Sequence, residues 1–213
     1  MSALSPADDG PAGIAGVSPG AAGAAGAAGA ARGGGSPAGA GAFVASSGPV
    51  AGDAFGPVTL TEAMLEAWGE RIGLDAGVPL LLALRGQLGA GKSVLARAIA
   101  RGAGVSGHLP SPTFNLLYRY HAARGIDVVH LDLYRLEDPG EVWELGWAEL
   151  GEGEEMVLVE WPERAEALLP PDRWDVWLEI PAEEATVRSV RAQRRGAAPP
   201  LPAPRPDPDG VPR

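Results

Sequence analysis

The chain of 213 residues contains no cysteine and a single lysine, Lys92, against sixteen arginines. Without cysteine there is neither a disulfide framework nor a thiolate metal site, in keeping with a reducing, cytoplasmic setting. The longest apolar run, Val78 to Leu84, falls far short of the roughly 20 residues that cross a bilayer. Secretion is not expected: the first residues carry Asp8 and Asp9 where a leader has a basic region, and no leucine-rich segment follows. The expectation is a soluble cytoplasmic protein.

Large apolar side chains are scarce at both ends. Residues 1–54 are mostly Ala, Gly, Ser and Pro, too little to offset the entropy of ordering, and are read as a disordered extension. Residues 196–213 carry proline at spacings that forbid helix and ladder pairing, and are read as a solvated tail. The folded domain is therefore placed at 55–195. Positive charge is also short: the net charge is -10, and eleven carboxylates between Glu137 and Glu166 face only Arg164. A direct grip on a nucleic-acid backbone wants the opposite sign along one face, so no independent RNA or DNA binding is expected, and the acidic run reads as a solvated surface.

What is present alternates. "TEAMLEAWGERIG", Thr61 to Gly73, sets Met64, Leu65, Trp68 and Ile72 on one stripe, with Thr61 as N-cap and Gly73 as stop. "PLLLALR" and "EMVLVEW" are continuous apolar runs, as strands buried on both faces should be. Val94 to Ala103 reads as a helix. "TFNLLYRY" and "IDVVHLD" read as a hairpin, and the turn Pro139 to Leu150 as a helix gathering Val142, Leu145 and Trp147. "RWDVWLEI" points Trp174, Val176, Leu178 and Ile180 inward, with "ATVRSVRAQRR" beside it as an edge strand whose arginines face water. The expected fold is α/β, a P-loop NTPase-like three-layer sandwich with a mixed central β-sheet.

The lone lysine sits in "GQLGAGKS", Gly86 to Ser93, which matches G-x-x-x-x-G-K-[ST] between a buried strand and a helix. Glycines let successive amides turn inward around phosphate oxygens, the helix N-terminus adds partial positive charge, and a point-like ammonium enters where arginine's planar fork is too bulky. The nucleotide-binding set is Gly86, Gln87, Leu88, Gly89, Ala90, Gly91, Lys92, Ser93 and Val94, with the Ser93 hydroxyl offered to Mg²⁺. An Asn-Lys-x-Asp guanine segment cannot exist in a chain whose only lysine is committed here, so ATP is favoured over GTP.

Acidic groups are needed at strand ends to hold Mg²⁺ and orient water. Asp132 and Glu160 close two apolar runs, positions where a bare carboxylate is costly unless a cation or hydrogen bonds satisfy it; simple strand-end solvation is the alternative. His130, two residues before Asp132, reads first as a packed core histidine and second as a catalyst, and Trp161 as packing. Thr113, in "SPTF", is either a γ-phosphate sensor or part of a plain strand-entry turn.

In order and spacing, "GQLGAGKS", "SPTF", "HLDLYRL", "ELGWAEL" and "VEWPERAEALLP" resemble the bacterial TsaE family, the small ATPase of tRNA threonylcarbamoyladenosine biosynthesis, over roughly Val58 to Arg191. The resemblance implies ATP and Mg²⁺ binding, slow hydrolysis that resets a transferase made of TsaD and TsaB, and contact with tRNA only indirectly. By motif it implies that Lys92 binds phosphates, that Ser93 and Glu160 serve the metal, that Asp132 acts at metal or water, and that Thr113 lies near the γ-phosphate. Gln87 departs from the aspartate usual in that loop. The rival reading, a P-loop kinase of small molecules, requires an arginine-bearing lid, whereas the best lid segment, Leu136 to Glu155, is acidic.

Overall fold

The computed structural model describes residues 52–112 and 115–205; the expectations for 1–51, Thr113 and 206–213 lie outside the described residues. The elements are β1 (Ala54–Thr61), α1 (Glu62–Asp75), β2 (Leu80–Arg85), α2 (Lys92–Ala103), β3 (Leu117–His121), β4 (Asp127–Asp132), β5 (Glu155–Glu160), β6 (Arg173–Glu179) and β7 (Val187–Arg195). Three 3₁₀ segments interleave with these, Pro139–Leu145, Trp147–Glu149 and Pro162–Leu168. The strands form one mixed sheet in the order β1-β7-β6-β2-β5-β4-β3. β4, β5, β2 and β6 run parallel, while β3, β7 and β1 are antiparallel to their neighbours. The α/β fold with a mixed central sheet is thus the observed one.

The parallel strands are apolar throughout because both faces are covered. Leu80, Leu82 and Leu84 of β2 join Met156 and Leu158 of β5 in the core beneath α1 and α2. Leu81 and Ala83, with Val157 and Val159, face a second core closed by Val142, Trp147 and Ala165 of the 3₁₀ segments. This third layer is made of short turns rather than the α-helix expected over Pro139 to Leu150. Gly146, at φ +76, ends the first segment after two turns, and Leu150 caps the second. Within the acidic run, Glu155 and Glu160 are buried instead of solvated. Among the described residues no helix is long and apolar enough to cross a membrane.

Three further departures have physical reasons. Thr61 does cap α1, its Oγ1 accepting from the Met64 N–H at 3.3 Å, but Gly73 does not stop the helix, which continues to Asp75 and is capped at Ala76. Gly73 is instead a crossing point: a Cβ there would lie 2.0 Å from the Ile99 carbonyl oxygen of α2, and one at Gly102 would lie 2.0 Å from the Glu70 carbonyl oxygen of α1. The two helices meet backbone to backbone. β7 is not an edge strand, because β1 pairs outside it; Gly56 and Pro57 interrupt β1 and shift its register between Phe55 and Val58, which hides the strand from a period-2 reading. Nor do its arginines simply face water, since Arg191 stacks 3.9 Å over the Trp177 ring and Arg195 binds Asp175.

The C-terminal correction is larger. Residues 196–205, expected in a solvated tail, pack on the domain, with Ala198 and Leu201 buried. The indole N–H of Trp174 donates to the Pro199 carbonyl at 2.8 Å, that of Trp68 to the Pro202 carbonyl at 2.8 Å, and Arg71 to the Ala203 carbonyl at 3.0 Å. Proline cannot donate, yet these bonds ask the strap only for carbonyls, so its composition is no obstacle.

On the other face, at the end of β2, buried Asp175 accepts from Arg85, Arg173 and Arg195. Arg85 also grips Glu166 through both oxygens, at 2.7 and 3.0 Å. Burial alone would raise the Asp175 carboxyl, but hydrogen bonds from Arg85 and Arg195 outweigh it and hold it below the usual carboxylate range. The network pins the strand end from which the glycine-rich loop departs.

Candidate nucleotide site

Residues 86–91 form the turn between β2 and α2, at the carboxyl ends of the parallel strands, where open α/β sheets bind ligands. Gly86 has φ +141 and passes so close to β6 that a Cβ would sit 2.2 Å from the Leu178 carbonyl oxygen; Gly91, at φ +100, is the N-cap of α2. α2 therefore begins at Lys92, two residues before the sequence reading placed it. The Lys92 Nζ folds back over the loop, donating to the carbonyls of Gly86 at 2.6 Å and Gln87 at 2.9 Å. It also lies 3.9 Å over the Trp161 ring. Burial lowers its pKa, against the opposing pull of Glu160, Glu163 and Asp132.

Glu160, at the end of β5, is 2% exposed and has both oxygens engaged. The Ser93 hydroxyl donates to Oε2 at 2.9 Å, and His130 Nε2 lies 2.8 Å from Oε1. Against an ionised Glu160, which only accepts, Nε2 carries the hydrogen. His130 thus aims the glutamate rather than merely filling space. Asp132 is in direct register with Glu160 across the β4–β5 ladder, and its Oδ1 accepts from the Tyr134 N–H at 3.0 Å.

A cavity of about 240 Å³ opens among these groups, lined by Leu88, Gly89, Gly91, Lys92, Ser93 and Val94 of the loop and helix, by Asp132 and Glu160, and by two aromatics, Tyr134 and Trp161. Gly86 and Gln87 do not line it but supply the carbonyls that hold Lys92, and Ala90 is buried behind it. The one predicted site residue not placed is Thr113, outside the described residues. Sequence reasoning missed the aromatics as site members. Trp161 holds φ +57, a conformation uncommon outside glycine, and its ring lies 5.0 Å from that of Tyr134. The available signal was position: each follows a strand-end carboxylate by one or two residues.

The donor set of Ser93, Glu160 and Asp132 is all oxygen, which suits a hard cation held by one or two protein groups and completed by phosphate oxygens and water. Among the described residues no three His, Asp or Glu side chains form a cage of their own.

Fold and loop motif together define a P-loop NTPase-like α/β domain. A family model described as "Threonylcarbamoyl adenosine biosynthesis protein TsaE" matches residues 59–190, well over half the chain, and the protein belongs to that family. Its similar proteins include the tRNA threonylcarbamoyladenosine biosynthesis proteins TsaE of Haemophilus influenzae, 38% identical over 91 residues (43% of this chain, 57% of that one), and of Rickettsia felis, 39% identical over 111 residues (52% and 64%). That of Bacillus subtilis is 36% identical over 96 residues (45% and 59%). The matched region thus spans between half and two thirds of these relatives' length. A crystal structure of Bacillus subtilis YdiB superposes with a TM-score of 0.54 at 24% identity, covering 65% of this chain and 86% of that one, a likeness of fold.

Proposed function

We propose that this protein is a Mg²⁺-dependent ATPase of tRNA threonylcarbamoyladenosine formation, working with TsaD and TsaB in the cytoplasm and hydrolysing ATP to reset that transferase between turnovers. The observation that carries the reading is the pairing of the buried Lys92 with the Ser93–Glu160 contact across one small cavity. Lys92 would exchange the loop carbonyls for β- and γ-phosphate oxygens, joined by the amides of the loop and the first turn of α2. Ser93 and Glu160 would hold Mg²⁺, which supplies charge neutralisation on the phosphates when bound. Asp132, beside Glu160 in the ladder, would orient water. Thr113 remains part of the proposal as the γ-phosphate contact.

Gln87 removes a charge next to the phosphates without touching the cradle, because its part in the structure is played by its backbone carbonyl. The direct experiment measures ATP affinity and phosphate release for the full chain, alone and with purified TsaD and TsaB. Stimulation of hydrolysis by the pair is expected. Absence of ATP binding under all conditions, or phosphorylation of metabolites by the chain alone, would overturn the reading.

A further inference from the structure

Arg188, which no part of the proposed mechanism uses, reaches the same loop from its outer flank. It is the second residue of β7, pairs with Leu60 in the sheet, and by alternation with Val190 lies on the face that carries α1 and α2. Its Nη1 donates to the carbonyls of Ala185 and Val187, both at 2.8 Å, and its Nη2 to the Gly89 carbonyl at 3.2 Å. Its Nε sits 3.9 Å from where a Cβ on Gly91 would be. Among the described residues no carboxylate oxygen lies within salt-bridge distance of it. A half-buried guanidinium held by three neutral carbonyls, with no carboxylate of the described residues beside it, brings positive charge to the outer rim of the loop.

The sheet order says what that is. The carboxylates stand on one side of β2, at the ends of β5 and β4, while β6 and β7 stand on the other. A triphosphate laid over the loop with its metal-bound end toward Glu160 directs its nucleoside toward the β6–β7 flank, where Arg188 waits. We infer that Arg188 is the nucleoside contact of this site, its guanidinium plate stacking on the purine base of the bound nucleotide. The inference rests on the nucleotide reading above and assigns the base end, which the loop motif leaves open.

The test titrates the full chain, in Mg²⁺ buffer, with ATP and separately with inorganic tripolyphosphate, for the wild type, Arg188→Ala and Arg188→Lys, with melting curves to verify folding. Stacking predicts that Arg188→Ala weakens ATP about five- to tenfold and leaves tripolyphosphate within about twofold. Arg188→Lys should restore little, since an ammonium has no plate. Equal loss for both ligands would overturn the inference, making Arg188 a brace of the loop through Gly89, and so would unchanged ATP affinity in Arg188→Ala. Wild-type protein giving no heat with either ligand would overturn the nucleotide reading itself, an outcome distinct from these.

Discussion

Ser93 and Glu160, 67 positions apart in sequence, meet at 2.9 Å across the mouth of the sheet. The contact joins the first turn of α2 to the end of β5 and sets a hydroxyl beside a carboxylate whose other oxygen is held by His130. Glu160→Gln preserves the shape and deletes the charge. It should bind ATP within a few-fold of wild type and lose phosphate release by about a hundredfold or more. Unchanged turnover would remove Glu160 from the chemistry.

Lys92→Ala removes the ammonium that spans the loop. With charge-assisted hydrogen bonds worth about 1.5–3 kcal/mol, ATP affinity should drop by about one to two decades or more. Calorimetry reads this directly, and an unaltered dissociation constant would contradict the role of the loop.

Gly73→Ala should destabilise the protein by about 3 kcal/mol, because the new methyl meets the Ile99 carbonyl inside contact distance and neither helix can yield alone. Gly153→Ala, where a Cβ meets nothing within 4 Å, is the control and should change stability by less than about 0.5 kcal/mol. Chemical denaturation compares them.

Truncation after Arg195 strips the indoles of Trp68 and Trp174 of their acceptors and uncovers the pocket of Leu201. The cost should be about 3 kcal/mol, a fall in melting temperature of roughly 10 °C. Truncation after Arg205 keeps those bonds and serves as reference. Equal melting of the two would mean that the strap contributes nothing.

Asp175 carries a pH dependence. A carboxyl held low in the folded state gives stability that is present above its unfolded value, about 4, and is lost as pH falls through the folded value. Asp175→Asn should cost about 3 kcal/mol at pH 7, because three arginines lose their shared acceptor, and the gap to wild type should narrow as melts are taken toward pH 3. A gap independent of pH would show that Asp175 acts by packing alone.

Much of this molecule was legible in its sequence where one physical cause acts locally. The phosphate loop, the two-sided strands and the Thr61 cap follow from glycine freedom, continuous apolarity and a hydroxyl before a helix. What escaped depends on partners far along the chain. Gly73 looks like a stop until Gly102 and Ile99 are known to lie against it. The proline strap looks unfoldable until two tryptophans are seen to need only its carbonyls. β1 is broken by Gly56 and Pro57 and is a strand because β7 is there to receive it. Around the cavity, the loop and the two carboxylates were nameable from their motifs, and Tyr134 and Trp161 from their places just after those carboxylates, whereas Arg188 is brought to the loop only by the pairing of β7.

The glycine seam between α1 and α2 has a mechanical consequence. At Gly73 and Gly102 main chain lies directly against main chain, so the two helices are coupled there without an intervening side chain, and α2 starts at the lysine of the loop. A small rotation of the first turn of α2 would therefore be passed on to the outer surface of α1.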